Sequence, residues 1–336
     1  MSIALDAMGS DAYPLPEIEA AKIFAGKTGK KIFLVGNKDI LFKSCSESDF
    51  SGLPIEIVQA DDVLEMGAHA VEETRSKPNN SMAIGLQLVR DGKADAFVTM
   101  GNTGAAMFNS LRTLGRIKNV SRPALTTYFP VKSGYCIVLD IGANADCRPE
   151  FLQQFAIMGT IYAQKMRKIE NPRVGLLNNG EEGGKGNELA RETYKVLENT
   201  KINFIGNVEA KDVFAGKADV VVTDGFTGNV FLKASEASAK FLTDILKENI
   251  KSSLKNKIGY LLAKSAFKEI KVKMDPRMVG AAPLLGIDGL SFVGHGRSDA
   301  TAVVSGLELA QNAIDVNLVQ QLRNVIQSSL SDDQKK

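Results

Sequence analysis

The chain has 336 residues, of which 44% are hydrophobic and 24% are charged, and its formal net charge at pH 7 is +2. This length and apolar content suffice for a large core, and we expect one α/β domain over 1–330 with a disordered tail at 331–336. The small net charge argues against nucleic acid as a partner. No apolar run approaches the roughly 20 residues that span a bilayer, and the chain opens on a strand pattern, so we expect neither a transmembrane segment nor a signal peptide.

The cysteines and histidines are few and scattered. Cys45, Cys136 and Cys147 form no Cys-x-x-Cys motif, and the two histidines, His69 and His295, lie far apart. We therefore expect neither a disulfide framework nor a zinc site. We expect the protein to lie in a reducing, cytoplasmic setting. A weak magnesium site among the many carboxylates stays open. No Gly-x-Gly-x-x-Gly motif follows a predicted strand and no Walker loop is complete, so we expect no nucleotide cofactor.

Short β-branched runs recur along the chain, each followed by residues with helical periodicity. The predicted strands are Ile3–Asp6, Ile32–Val35, Ile55–Gln59, Ala96–Thr99, two runs of a hairpin within Ala124–Asp140, Val174–Leu177, Phe204–Ile205, Val220–Thr223 and Leu290–Val293. The clearest helical patterns are Ser81–Arg90, Arg148–Lys168 and Asn187–Glu198. This alternation predicts a mostly parallel sheet with helices on both faces, which is a three-layer αβα fold.

One phrase of thirteen residues occurs twice, at 92–104 and at 216–228, with nine identical positions. Each copy combines an apolar run, a Gly-x-Thr-Gly turn and a helical pattern. Such a turn presents backbone N–H groups and a threonine hydroxyl at a helix N-terminus, where the helix dipole favours an anion. The alternative is that strand–turn–helix units simply favour glycine and threonine at this corner. Two copies in one chain favour a cleft for an anionic substrate.

Six loops rich in Gly, Asn and Asp follow predicted strands, where ligands collect in open α/β sheets. They are 6–11, 100–104, 140–146, 178–187, 224–229 and 294–297. Lys185 is the cation of a glycine-dense loop and can reach a phosphate, although an ordinary solvated lysine is the alternative. Asn102, Asn144 and Asn229 can donate amide hydrogens to an oxyanion, or can act only as turn residues. His295, between two glycines, is a candidate acid or base, or a structural histidine.

A basic helical segment is predicted at about 235–275. Residues 240–273 hold nine lysines against Asp244, Glu248 and Glu269, and apolar residues recur among the lysines at helical spacing. A helical hairpin that packs against a second copy of the chain explains this pattern. Anionic lipid and an acidic carrier protein are the other candidate partners.

The loops resemble those of one family, the bacterial phosphate acyltransferases that convert acyl-ACP and inorganic phosphate into acyl-phosphate (the PlsX family). The similarity runs in the family's order through Leu5-Asp-Ala-Met-Gly9, Gly101-Asn-Thr-Gly104, Asp140-Ile-Gly-Ala-Asn-Ala-Asp-Cys-Arg-Pro-Glu150, Leu176-Leu177, Gly180-Glu-Glu182, Lys185-Gly-Asn-Glu188, Thr223-Asp-Gly-Phe-Thr-Gly-Asn229 and His295-Gly296. The chain departs from the family's usual residues at Ser10, Gly183-Gly184, Asp288 and Gly294. These departures concern loop rigidity and fine positioning.

The resemblance implies a fold like those of phosphotransacetylase and isopropylmalate dehydrogenase, a homodimer, and no cofactor. It implies acyl carrier protein, which carries the acyl group, and inorganic phosphate, which accepts it, as the partners. It also implies delivery of acyl-phosphate to a membrane glycerol-3-phosphate acyltransferase for phospholipid synthesis, with peripheral contact to an anionic membrane. A short-chain acyl-CoA phosphotransacetylase and a non-catalytic phospholigand-binding protein are the alternatives.

In such a reaction phosphate is the nucleophile, so no activated serine or cysteine is required. We predict that Lys185 neutralises the phosphate or the oxyanion, that Asn229 assists, and that His295 protonates the leaving thiolate or orients a neighbour. The other predicted substrate-binding residues are Gly9, Asn102, Thr103, Gly104, Asp140, Asn144, Glu182, Gly186, Asn187, Asp224, Gly225, Thr227 and Gly228, and no metal is expected. A route through an acyl-cysteine at Cys136 or Cys147 is the alternative.

Overall fold

The computed structural model describes residues 1–67, 70–132, 134–273, 277 and 279–333. The strands are β1 (Ser2–Asp6), β2 (Lys31–Gly36), β3 (Ile55–Gln59), β4 (Ala96–Thr99), β5 (Ala124–Val131), β6 (Gly134–Leu139), β7 (Val174–Leu177), β8 (Phe204–Val208), β9 (Val220–Val222), β10 (Ala281–Leu285) and β11 (Leu290–Gly294). The helices are α1 (Leu15–Thr28), α2 (Lys38–Ser44), α3 (Ala70–Ser76), α4 (Ser81–Arg90), α5 (Thr103–Thr113), α6 (Pro149–Arg167), α7 (Glu188–Glu198), α8 (Ala210–Ala215), α9 (Gly225–Ser252), α10 (Leu254–Leu262), α11 (Lys264–Lys273), α12 (Ala300–Asp315) and α13 (Leu318–Asp333), with a 3₁₀ helix at Glu47–Phe50.

The strands form one sheet in the order β3-β2-β1-β4-β11-β10-β5-β6-β9-β7-β8. Neighbours are parallel except for the pairs β11–β10, β10–β5 and β5–β6. The group β1 to β4 with β11 therefore runs in one direction, and the group β6 to β9 runs in the other. The predicted αβα fold with a mostly parallel sheet and the predicted hairpin at Ala124–Asp140 are confirmed. The three predicted helices are found with ends that differ by at most one residue.

Helices cover both faces of the sheet and bury two hydrophobic clusters. One cluster includes Phe24 of α1 and Phe155 of α6, and the other includes Leu86 of α4 and Phe97 of β4; all four are fully buried. Burying a side chain of this size contributes about 1.5–3 kcal/mol to the free energy of unfolding. The two apolar faces explain why the strand sequences are continuous hydrophobic runs instead of alternating patterns.

The strand β10 connects the two groups, and the sequence predicts no strand there. Its residues, Ala-Ala-Pro-Leu-Leu, lack β-branched side chains, and Pro283 cannot donate a backbone hydrogen bond. Pairing with neighbours decides the conformation instead: Ala281–Pro283 lie opposite Phe292–Gly294 of β11, and Leu284–Leu285 lie opposite Ala124–Leu125 of β5. Within the described residues β5 and β10 pair at these two positions alone. The sheet therefore opens into a cleft beyond Leu125.

Both copies of the repeated phrase fold as predicted, as a strand, a turn and a helix. The first copy contains β4 and leads into α5, and the second contains β9 and leads into α9. Because β4 and β9 belong to groups of opposite direction, the two turns lie at the carboxyl edges of different halves of the sheet.

The basic segment is helical, as predicted, through the second half of α9 and through α10 and α11; residues 274–276 lie outside the described residues. Its apolar side chains are not covered: Phe241, Leu242, Leu254 and Leu261 are more than half exposed, and Leu262 is 85% exposed. Across the part of the chain that the structure describes, no helix has the length and hydropathy needed to cross a bilayer. The helix α13 extends to Asp333, and 334–336 of the predicted tail lie outside the described residues.

Candidate active site

The loop after β1 interlocks with the first Gly-x-Thr-Gly turn. Thr99 Oγ1 donates a hydrogen bond to Asp6 Oδ2 at 2.6 Å, and Gly101 N donates to Thr99 Oγ1 at 2.9 Å. A Cβ atom on Gly9 would lie 2.8 Å from Gly101 N, so this close approach requires glycine. The predicted binding residue Gly9 thus supports the turn by its lack of a side chain.

The turn itself starts α5 with a neutral cap. Asn102 Oδ1 accepts a hydrogen bond from Ala105 N at 3.1 Å, and Asn102 Nδ2 donates to Gly67 O at 3.2 Å. Thr103 and Gly104 form the first turn of the helix and are half-buried. Since no carboxylate caps this helix, its N-terminal dipole is available to an anion.

The loop after β6 is organised around the buried carboxylate of Asp140. This carboxylate accepts hydrogen bonds of 2.7–3.1 Å from the backbone N–H groups of Leu125, Gly142, Ala143 and Asn144. It also accepts one from Asn144 Nδ2 at 2.8 Å, and the same nitrogen donates to Pro123 O at 2.7 Å. Both amide hydrogens of Asn144 are therefore used to hold the loop, not to reach into the cleft.

The second Gly-x-Thr-Gly turn packs directly on this loop. Gly225 N donates to Asn144 O at 2.8 Å, and a Cβ atom on Gly228 would collide with the carbonyl oxygen of Asp140. Asp224 caps α9: its carboxylate accepts from Thr227 N and from Thr227 Oγ1, each at 2.8 Å. The donors of Thr227 are thus already satisfied by a negative charge, which makes this turn less suited to an anion than the turn at α5.

The loop that contains Lys185 follows β7, at the same edge of the sheet as Asp224. Asn178 Nδ2 donates to Lys185 O at 3.1 Å, and Asn187 caps α7 through a bond from Ala190 N. Lys185 is exposed. The predicted site residues of this loop, Glu182, Lys185, Gly186 and Asn187, are not among the residues that line the cleft described next.

A cavity of about 720 Å³ occupies the cleft between the two groups of strands. Three of the predicted site residues line it, Thr103, Asn229 and His295, together with Gly142 of the loop after β6. Asn229 Nδ2 lies close to Gly142, and the His295 side chain is exposed. The structure therefore brings the first helix turn of α5, the loop after β6, the start of α9 and the loop after β11 to one space. His69 lies outside the described residues.

Three cationic residues that were not among the predicted site residues also line this cavity: Lys233, Arg277 and, in the predicted loop 294–297, Arg297. Arg297 pairs with Glu236 of α9 at 3.5 Å, and Arg277 pairs with Asp299 at 3.1 Å. Lys233 makes no salt bridge within the described part of the chain. Lys233 follows Asn229 by four residues, which is one turn of helix. Counting in helical steps from the second Gly-x-Thr-Gly turn could therefore have identified Lys233 from the sequence.

Burial beside the loop after β1 gives Glu17 an unusual pKa. Ser10 N donates to Glu17 Oε1 at 3.0 Å, and the carboxyl is fully buried. Burial raises the pKa of Glu17 from 4.5 to about 7, and the hydrogen bonds from Ser10 only partly oppose it. The folded state therefore prefers the protonated form, so this contribution to stability is complete below pH 4.5 and is lost as the pH rises through about 7.

A Glu17→Gln variant is expected to lose this pH dependence. Between pH 4.5 and pH 7.5 the free energy of unfolding of the unmodified chain should fall by about 3 kcal/mol more than that of the variant. Urea unfolding at both pH values measures the difference. Parallel pH profiles for the two proteins would show that Glu17 is not protonated preferentially in the fold.

The cysteines are poorly suited to nucleophilic catalysis. Cys136 is fully buried, and burial raises the pKa of its thiol. Burial, together with the charge of Asp140, raises the pKa of Cys147 to about 12. Because the thiolate is the nucleophile, both groups are overwhelmingly in the unreactive form near neutral pH.

A double variant, Cys136→Ala with Cys147→Ser, is therefore expected to keep acyl-transfer turnover within about twofold of the unmodified chain. Steady-state rates with circular dichroism as a folding control are the measurement. A loss of about 100-fold or more in a folded double variant would support the acyl-cysteine route.

Solved structures with a similar fold include phosphotransacetylases. The chain is similar to a phosphotransacetylase from Staphylococcus aureus, with TM-score 0.55, 16% identity, and 96% and 94% of the two chains covered. It is also similar to a branched-chain phosphotransacylase from Enterococcus faecalis V583, with TM-score 0.59, 13% identity, and 94% and 99% covered. These similarities show the fold, which is that of the phosphotransacetylase class.

The sequence comparisons are more specific. The family model described as "Fatty acid synthesis protein" matches residues 1–321. Similar curated relatives are the phosphate acyltransferase of Acidobacterium capsulatum, 44% identical over 95% of both chains, and that of Elusimicrobium minutum, 45% identical over 97% of this chain and 96% of the relative. The chain belongs to this family and is an acyltransferase.

Proposed function

We propose that this enzyme transfers a fatty acyl group from acyl carrier protein to inorganic phosphate and so produces acyl-phosphate for phospholipid synthesis. The observation that carries the proposal is one cavity in which three cationic residues lie with a large apolar wall. Phosphate requires the cations, and a fatty acyl group requires the apolar wall. The phosphate acyltransferases among the relatives support the same reaction.

The reaction itself requires positioning and charge stabilisation. An oxygen of phosphate attacks the thioester carbonyl carbon, a C–O bond forms, and the carbonyl oxygen becomes an oxyanion. The C–S bond then breaks as the oxyanion collapses, and the leaving thiolate takes up a proton. Asn229 can donate its side-chain amide to the oxyanion, and His295 can supply the proton to sulfur. Both side chains line the cavity.

We place the phosphate at the N-terminus of α5, near Lys233. The cap of α5, Asn102, is neutral, whereas α9 carries the carboxylate of Asp224 at the same position. Thr103 of the first turn of α5 lines the cavity, as does Lys233. A helix of eleven residues with a neutral cap offers donors to an anion, and Lys233 adds positive charge to the same cavity.

The predicted catalysis by Lys185 stays a prediction. Its side chain is exposed, and its loop leaves the same sheet edge as the loop at Asp224, because Leu176 of β7 lies opposite Val222 of β9. Lys185 and Lys233 are thus the two lysines that compete for the role of neutralising the phosphate.

The test of the function is phosphate-dependent release of holo-acyl carrier protein from palmitoyl-acyl carrier protein, without nucleotide or metal. We expect release to match palmitoyl-phosphate formation mole for mole. Thiol release that does not depend on phosphate would indicate a thioesterase. Turnover of acetyl-CoA in preference to palmitoyl donors would favour a short-chain phosphotransacetylase, and no turnover with any thioester would favour a non-catalytic phospholigand-binding protein.

We also propose that the basic segment contacts an anionic membrane surface. The apolar side chains of α10 that are most exposed, Leu254, Leu261 and Leu262, are accompanied by Lys255 and Lys257. Exposed leucines next to lysines combine the apolar insertion and the charge attraction that peripheral binding uses. A homodimer that covers part of the same segment is the companion proposal, supported by the exposed Phe241 and Leu242.

Vesicle flotation tests the lipid proposal. We expect more protein to float with anionic vesicles than with neutral ones, and a Lys255→Glu, Lys257→Glu variant to lose that difference, since each basic residue near the surface is worth about 1 kcal/mol. Equal recovery of the unmodified chain from both vesicles would contradict electrostatic lipid binding. Sedimentation of the same proteins then shows whether a second copy covers the segment instead.

A further inference from the structure

The cavity extends well beyond the cationic side chains, along the free edge of β5. Past Leu125 this strand has no partner on its β10 side within the described residues, so side chains from both of its faces reach the cavity. Thr127 and Phe129 contribute from one face, and Tyr128 and Pro130 from the other. From Leu125 to Pro130 this edge measures about 16 Å.

The far end of this edge is aromatic. Phe129 packs against Phe214 of α8 and Phe231 of α9, with ring centroids 5.1 Å and 4.8 Å away. Tyr135, which pairs with Pro130 across the hairpin, also lines the cavity. The near end, by contrast, holds Asn229 and Gly142 of the proposed reaction site. Lys233 and Glu236 of α9 line the same cavity, so its apolar wall is formed mainly by β5 and the aromatic rings beside it.

We infer that the free edge of β5, with the aromatic rings at its far end, is the binding site for the alkyl chain of the acyl donor, and that this far end sets the preferred chain length. The inference rests on the proposed function. An anionic reacting group and a long apolar chain are the two parts of such a substrate, and the cavity offers both cationic residues and an apolar wall. An acetyl group would leave the apolar wall in contact with water, whereas each further methylene of a longer chain buried against it favours binding.

The helix α9 provides a matched pair of test positions. Ser235 lines the cavity one turn beyond Phe231, and its Oγ donates only to the carbonyl of that residue. Ser238 is exposed on the same helix and is not among the lining residues. Ser235→Trp adds a large side chain to the cavity, and Ser238→Trp adds the same side chain outside it. The chain contains no tryptophan, so each variant also carries a single fluorophore.

Turnover with butyryl, octanoyl and palmitoyl donors is the first readout. In Ser235→Trp the ratio of palmitoyl to octanoyl turnover should fall about tenfold, because overfilling the channel costs 1–3 kcal/mol for the longer chain. In Ser238→Trp the ratio should stay within about twofold. An unchanged ratio in Ser235→Trp, or an equal shift in both variants, would overturn the inference while the proposed function stands. Absence of turnover in the unmodified chain would instead overturn the proposed function.

Fluorescence provides a second readout that needs no turnover. A medium-chain alkylphosphonate with bromine at the far end of its chain should quench the tryptophan of Ser235→Trp and not that of Ser238→Trp. Equal quenching of both, or of neither, would show that the alkyl chain does not lie along this edge.

Discussion

Gly228→Ala is expected to unfold the start of α9 and to abolish turnover. A Cβ atom at this position would collide with the carbonyl oxygen of Asp140, which is backbone and cannot move aside as a flexible side chain does. The carboxylate of Asp140 itself accepts five hydrogen bonds, one from Leu125 and four from residues 142–144 of the loop after β6. We expect the free energy of unfolding to fall by about 3 kcal/mol or more, as measured by urea unfolding.

Gly26→Ala is the matched control for this prediction. Gly26 also lies in a helix, α1, and a Cβ atom there would meet only Leu53, at an ordinary distance of 3.7 Å. This variant should be unchanged or more stable by up to about 1 kcal/mol, because alanine favours a helix. If Gly228→Ala proved as stable and active as Gly26→Ala, the packing of α9 on the loop after β6 would not be essential.

The second large effect is expected at Lys233. Its ammonium group lines the cavity with Asn229 and has no salt-bridge partner among the described residues, so it is available to phosphate. Lys233→Ala should lower kcat/KM for phosphate by about 10²–10³-fold, the usual cost of losing a preorganised charge-stabilising group. Phosphate titration at saturating acyl donor is the measurement.

Lys240→Ala and Lys185→Ala complete the comparison. Lys240 lies on the same helix, pairs with Asp244 at 2.7 Å and does not line the cavity, so its loss should change turnover less than about twofold. If Lys185→Ala is folded and keeps near-full turnover, the sequence-based assignment of Lys185 is wrong. If Lys185→Ala loses about 10²-fold and Lys233→Ala does not, the phosphate lies at the loop after β7 instead.

Local patterns sufficed for most of the fold. Apolar runs such as Ala96–Thr99 lie in the buried centre of a parallel sheet, where continuous hydrophobicity distinguishes a strand from a loop. The exception, Ala281–Leu285, has weak strand propensity and a proline, and its Leu284–Leu285 pair with Ala124–Leu125, far earlier in the chain. Such pairing depends on tertiary neighbours that local sequence does not reveal.

The candidate site was predictable loop by loop but not as an assembly. Glycine and asparagine content identified Thr103, Asn229 and His295, which line one cavity. The same reasoning treated the strand ends as one edge. The structure separates them, because the antiparallel strands β10 and β5 reverse the direction of half the sheet. Lys185, in the loop after β7, does not line the cavity, whereas Lys233, within α9, does.

The sequence by itself determined the αβα fold, the strand–turn–helix repeat and the resemblance to phosphate acyltransferases, because periodicity, turn glycines and ordered motifs are local properties. Only the tertiary structure decided which loops meet and which cations face the cleft. It also decided that β5 has a free edge past Leu125, where an apolar channel opens. The physical reason is that strand order and direction are fixed by long-range pairing, and the positions of side chains in the cleft follow from that pairing.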